Sequence, residues 1–390
     1  MIPTKTANFE FWIRGPFREM NTELEETYFA ADDRLDIESM GSPIKDKLTR
    51  EGNEHIRGLL DEGNTDTGFE NAYNLLGCVG LFMAACRRHE ITEPTRETTS
   101  PLVEASSLAL HIASTLGVSP RFATAHLTTH NYAVDGVSRT FTSLHDEALF
   151  LDYNAMGVLS YMRAADALRR IIPLGVSHQL TYHLLQDART ALEDVAKWNE
   201  LLFAELDVER FFFCVRPYYK PYRVGSAVYR GANAGDFAGI NIIDMLLGVC
   251  SAQNISYSQI LMDKFLFMLP EEQAILKDCM RRESLMQGFL NAQEKSGQKA
   301  WYKKNLAAYL EVLDAHAHTA IQHHDYLVSK FIEAPADSIP AERLKNLTAS
   351  GPPLDVLIRS LEKLRDLRTS AERDDIPSRY REVKRLRDSL

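Results

Sequence analysis

Apolar residues recur at three- and four-residue spacing along most of the chain, the pattern of helices that bury one face. It predicts helices over 70–90, 146–172, 178–206, 238–250, 271–293 and 304–333. Strand-like alternation is rare. Its best instance, FFFCV at 211–215, is short and reads equally well as the end of a helix. Ser119-Pro120 and Leu269-Pro270 put proline where a first helical turn accepts it, so helices are predicted to start there. IPLGVS at 172–177 and ASGPP at 349–353 read as breaks. The predicted fold class is all-α, a helical bundle without internal repeats. The polar stretch ITEPTRETTSP at 91–101 divides it into a small N-terminal helical domain, 1–100, and a larger helical body, 101–390.

One stretch interrupts the pattern. Residues 214–239, CVRPYYKPYRVGSAVYRGANAGDFAG, mix proline, glycine, arginine and tyrosine without helical period. A loop that long inside a compact domain is commonly functional. Its glycines allow close approach of a ligand, and its arginines suit a carboxylate. The plainer reading is a crossover between two long helices.

Composition narrows the function classes. The chain has 390 residues, 45% hydrophobic and 25% charged, as a globular protein has. A net charge of −10 excludes a general nucleic-acid binder, which needs a basic face. The mixed-charge run from 354 to 390 reads as a solvated helix packed along one face. Five scattered cysteines with no CxxC pair read as reduced core thiols of a cytoplasmic protein. No signal peptide or membrane-spanning run is expected.

Four histidines, His316, His318, His323 and His324, crowd the last long helix. His316 and His323 share a face, and His324 falls with Ala317, Ala320, Ile321, Leu327 and Val328. A zinc site wants histidines at i and i+4 with a further ligand, and that spacing is absent. Two readings stay open for His324: a satisfied core histidine, or a single axial ligand to haem. Without CxxCH, any haem is non-covalent. His316, His318 and His323 are read as bystanders.

Several segments together resemble one family. They are HLTTHNY (126–132), RTFTSLHDEALFLD (139–152), VRPYYKPYRVG (215–225), RGANAGDFAGINIIDMLLGV (230–249) and QHHDYLVSKFI (322–332). In the same order they are similar to the histidine-ligated haem enzymes that oxidise indoles. Tryptophan and indoleamine 2,3-dioxygenases belong there, and the nearest branch is that of the pyrrolnitrin-pathway enzyme monodechloroaminopyrrolnitrin synthase. The last segment is similar to SYHLQIVTKYI of indoleamine dioxygenase, a pairing that selects His324 as the proximal ligand.

The resemblance implies a haem domain of indoleamine dioxygenase type, haem b on His324, and O2 as co-substrate. Arg216, in FFFCVR, matches the arginine that holds a substrate carboxylate. Phe211 and Phe212 then flank an aromatic substrate, or are plain core. Asn233, Ala234 and Gly235 match the loop that closes over haem and substrate. Ser350 and Gly351 match the Thr-Gly of a C-terminal substrate loop, where the plainer reading makes Ser350 a helix cap. The chain departs from the family pattern at Asp236, Phe237, Ile332 and Pro352. The implied function is oxidation of tryptophan or a modified, for example chlorinated, tryptophan in secondary metabolism. Ring cleavage of the dioxygenase type and a non-catalytic haem sensor are the alternatives. Expected partners are a small aromatic amino acid and an electron donor, without nucleic acid or membrane, for a monomer or homodimer.

Overall fold

The chain is almost wholly helical in a computed structural model that describes residues 4–62, 68–337, 339 and 354–390. The all-α expectation holds. Among the described residues the one sheet is a hairpin, β1 (Tyr222–Val224) antiparallel to β2 (Ala227–Tyr229). Its two-residue turn opens on Gly225 at φ 59°, a left-handed backbone that glycine adopts without a steric cost. No described helix is long and apolar enough to cross a membrane. Two compact units divide the chain. The first comprises Met1–Asp152, Leu206–Asp236 and Phe331–Leu354, and the second Tyr153–Glu205, Phe237–Lys330 and Asp355–Leu390.

The first unit is built on α1 (Lys5–Arg14), α2 (Pro16–Ala30), α3 (Ser42–Glu62), α4 (Phe69–Arg88) and α5 (Val103–Leu116). Helix α4 is apolar on every side and buried along nearly its whole length, as a central helix must be. Two of its glycines make room for a neighbouring segment. A Cβ at Gly77 would lie 2.5 Å from the His126 ring, and one at Gly80 only 2.3 Å from the Phe122 backbone nitrogen. The α-helix predicted from Ser119-Pro120 does not form; a short 3-10 turn, Thr124–Leu127, follows instead. His126 fixes that turn. Its Nδ1 accepts from the Ala123 N–H (2.8 Å) and its Nε2 donates to the Tyr73 carbonyl (2.9 Å). Burial, helped by Arg139, pushes its pKa down to about 3, so the ring is neutral. At the end of α4, Arg88 grips Glu25 with two bonds of 2.8 and 2.7 Å, both side chains buried, and donates to the Phe213 carbonyl.

In the second unit the last part of α6 (His145–Ile171) joins α7 (Gln179–Glu205), α8 (Gly239–Leu247), α9 (Ile255–Phe265), α10 (Pro270–Cys279), α11 (Leu285–Ser296), α12 (Ala300–Ile321), α13 (Leu354–Arg368) and α14 (Tyr380–Arg387). Periodicity over 271–293 predicted one helix where there are two, because Ser284 caps a fresh start by accepting from the Gln287 N–H (3.3 Å). Helices α7 and α12 run parallel. Arg189 meets Glu311, Asn199 meets Gln322, and Lys330 donates to the Phe203 carbonyl, in the same order along both. Leu185, Leu192, Leu306, Tyr309 and Leu313 share one core with Ile243 and Leu246 of α8. The helix predicted over 304–333 keeps α geometry to Ile321 and winds as a π-helix from Gln322 to Glu333.

The charged centre of this unit is Asp244 on α8, fully buried. Arg368 of α13 donates to both its oxygens (2.9 and 2.8 Å), His316 Nε2 of α12 to one (2.7 Å) and the Tyr257 hydroxyl of α9 to the other (2.8 Å). Burial alone would raise the Asp244 pKa. The Arg368 charge and the hydrogen bonds from His316 and Arg368 win, and hold the carboxyl well below its usual range. His316 is therefore a buried structural group. The reading of it as a bystander fails because its partner lies on another helix, invisible to local periodicity. His318 and His323 are exposed. All five cysteines are buried and free.

Two substitutions test this architecture. Gly80→Ala drives a methyl into rigid backbone and is expected to cost about 3 kcal/mol in urea unfolding. A loss under about 0.5 kcal/mol would show that the close approach is not needed. Asp244→Asn leaves Arg368 buried without its anion, at a cost of about 3 kcal/mol at pH 7. The folded pKa of Asp244 lies below its unfolded value, so this stabilisation is present above the unfolded pKa and is lost as pH falls through the folded one. Wild type and Asp244→Asn are thus expected to converge in stability as pH drops below about 4.

Candidate functional site

His324 sits in the π-helical stretch, in the second unit. Such windings are rare and concentrate at functional positions, because they turn side chains out of the α phase. The face predicted for His324 is accordingly split: Ala320 and Val328 are buried, Ala317 and Leu327 are half-buried, and Ile321 is exposed. The His324 side chain is only 12% exposed, and its two ring nitrogens differ. Nδ1 lies 2.9 Å from Asp325 Oδ1. Arg365 Nη1 donates to that same oxygen (3.1 Å) and lies 3.3 Å from Nδ1. The guanidinium only donates, and a carboxylate oxygen only accepts, so Nδ1 at 2.9 Å from Asp325 Oδ1 must be the donor of that pair. Nδ1 then carries the ring proton, and Nε2 presents a bare lone pair. Nε2 is buried and has no hydrogen-bond partner among the described residues.

A buried ring nitrogen without a partner calls for an explanation. An imidazole whose far nitrogen donates to a carboxylate is the arrangement of metal-ligating histidines, where the carboxylate fixes the tautomer and raises ligand basicity. These residues fit one axial bond to a haem iron. Helix α13 backs two histidines: Arg365 reaches Asp325 beside His324, and Arg368, three residues on, reaches Asp244, the partner of His316.

The other predicted residues lie in the first unit, apart from two. Arg216 closes a π-helical turn, Phe211–Val215, that replaces the strand or helix end read from FFFCV. It is buried, its guanidinium 5.4 Å from the Phe212 ring, and burial lowers its pKa to about 10. It still carries its charge at neutral pH, and a desolvated guanidinium binds an anion more strongly than an exposed one. Phe211 packs on Phe150 and Phe331, with ring centres at 4.9 and 6.0 Å, and Phe212 on Phe213 at 5.1 Å. Asn233 is exposed in a prefolded loop. Its Oδ1 accepts from the Gly235 N–H (2.8 Å), and Asp236, paired with Arg230, accepts from the Asn233 N–H (2.9 Å). Ala234 is half-buried between them. Ser350 and Gly351 lie outside the described residues.

Sequence reading missed Asp325, Arg365 and the Asp244–Arg368 pair. The C-terminal run looked like a solvated helix, yet its packed face carries the two arginines. Their three-residue spacing was the only local signal.

No curated protein matches the chain. A family model does, that of monodechloroaminopyrrolnitrin synthase PrnB, across residues 3–390. That match covers nearly the whole chain, and the chain belongs to the monodechloroaminopyrrolnitrin synthase family.

Proposed function

We propose that this protein is a haem-dependent oxidative enzyme that acts on tryptophan or a modified tryptophan in the biosynthesis of a pyrrolnitrin-type metabolite, with His324 as the axial ligand of haem b. The observation that carries the reading is the bare, buried Nε2 of His324, backed on Nδ1 by Asp325. Family membership supports the oxidative chemistry and the pathway. Haem supplies the activation of O2 toward an electron-rich indole, the hard step of such a reaction.

The chain's own part is holding and orienting. Asp325 keeps the His324 proton on Nδ1, so the imidazole donates from Nε2 with more negative character than a free histidine. Arg365 shares Asp325 and limits that effect, since a cation draws charge from the carboxylate. Arg216 holds the amino-acid carboxylate, a role suited to a buried guanidinium that stays charged at neutral pH. Phe211 and Phe212 offer apolar faces for an indole. The ordered loop of Asn233, Ala234 and Gly235 is built to lie close to a ligand, and Ser350 with Gly351 adds a hydroxyl for the substrate's polar end.

Titration with haemin tests the first element. Wild type is expected to show a Soret band saturating at one haem per chain. His324→Ala loses it, and Asp325→Asn keeps the band but shifts the iron–histidine vibration to lower frequency. A wild type that binds no haem ends the reading. The second element is tested with tryptophan as the titrant. Arg216→Ala is expected to weaken the substrate-induced spectral change by about two orders of magnitude in Kd, as loss of charge-assisted bonds to a carboxylate implies. An unchanged Kd excludes Arg216 as the carboxylate anchor.

A further inference from the structure

The first unit holds a cavity of about 400 Å³, lined among others by Arg34, Arg88, Glu90, Glu93, Phe213 and Lys220. Lys220 ends the turn that leads into β1 and is only 3% exposed. Lys220 lines this cavity, and its side-chain nitrogen makes neither a hydrogen bond nor a close ion pair among the described residues. Taking an ammonium largely out of water disfavours its charged form. Burial first, then Arg87 and Arg88, push Lys220 down to about 7.

The other cations of the lining are taken. Arg88 is clamped on Glu25, Arg34 pairs with Glu209 (2.8 Å), and Arg96 with Glu38 (3.0 Å). Of the carboxylates, Glu93 pairs with Arg87 (3.0 Å). Glu90 makes no hydrogen bond and no close ion pair among the described residues, and its charge acts on Lys220, Lys45 and Arg87. Its backbone is unusual as well. Glu90 adopts φ 56° just past the end of α4, where Ile91 N–H closes back on the Cys86 carbonyl (2.9 Å). Glycine is the residue that this position favours, and a glutamate there costs about 1 kcal/mol. Strain of that kind clusters where a side chain is needed. Asp33 and Asp36 accept from the Leu35 N–H and the Ser39 hydroxyl, so Lys220 and Glu90 are the amine and the carboxylate of the lining without a close partner among the described residues, beside the apolar ring of Phe213.

We propose that this cavity is a carbonyl-capturing site, in which the Lys220 amine condenses with a small uncharged aldehyde or ketone and Glu90 moves the proton. The amine lone pair attacks the carbonyl carbon; a C–N bond forms and the C=O π bond opens onto oxygen. Glu90 carries two protons in turn from nitrogen to oxygen: the first makes the carbinolamine hydroxyl, and the second lets that hydroxyl leave as water. Amine and carbonyl become imine and water, with no net oxidation or reduction. An anionic ligand is disfavoured, because it would meet Glu90 and Glu93 with no unpaired guanidinium to hold it. A largely buried lysine beside other cations is a recognised form of activated amine.

The test uses the full chain with propanal or benzaldehyde and cyanoborohydride at pH 7, read by peptide mass mapping over time. One adduct per chain is expected at Lys220, gained at least about tenfold faster than at the exposed Lys197 and Lys295. Lys220→Arg, checked for native circular dichroism, loses that adduct and keeps the slow background. Glu90→Gln slows it severalfold. Labelling of Lys220 no faster than Lys197, or an unaltered Lys220 rate in Glu90→Gln, overturns the proposal.

Discussion

One buried carboxylate organises the second unit. Asp244 lies where a charge is expensive, and it is tolerated because four donated hydrogen bonds from three other helices meet it there. Those donors fix more than charge balance. His316 pins α12 at one point of its length, and Arg368 pins α13 at another. His324 follows His316 along the same helix, and Arg365 precedes Arg368. Once Asp244 has set both helices, the imidazole, Asp325 and Arg365 come together with no further adjustment.

Buried charge is handled differently elsewhere. In the first unit Arg88 and Glu25 neutralise each other in full, the arrangement that makes a buried ion pair tolerable. Arg216 keeps its charge in a dry setting beside an aromatic ring, which leaves it strong toward an anion. Lys220 holds its charge only weakly, its pKa pushed down to about 7. Three buried basic side chains thus sit in three different electrostatic settings.

Helices were legible from sequence wherever a single apolar face ran unbroken. The pattern over 146–172 and 178–206 falls within a residue of α6 and α7, because nothing but core burial decides them. Misreadings came where a local polar bond overrode the period. Ser284 ended one helix and began another, and His126 held a 3-10 turn where proline promised a helix. The site was half legible. Resemblance singled out His324 and Arg216. Asp325, adjacent in sequence, carried no signal of its own, since an aspartate after a histidine is commonplace. Asp244 with His316 joins residues 72 positions apart, a pairing that periodicity cannot contain.

The π-helical winding from Gln322 to Glu333 has an evolutionary side. A wide-wound helix stores length: it can give up a residue by tightening to α geometry while the contacts at its two ends stay in place. Upstream, His316 is held by Asp244, and downstream Lys330 is held by the Phe203 carbonyl. Insertions and deletions between those two moorings are therefore cheap for the fold. They re-aim the side chains beside the imidazole and leave the core unrepacked, a change in count rather than in kind.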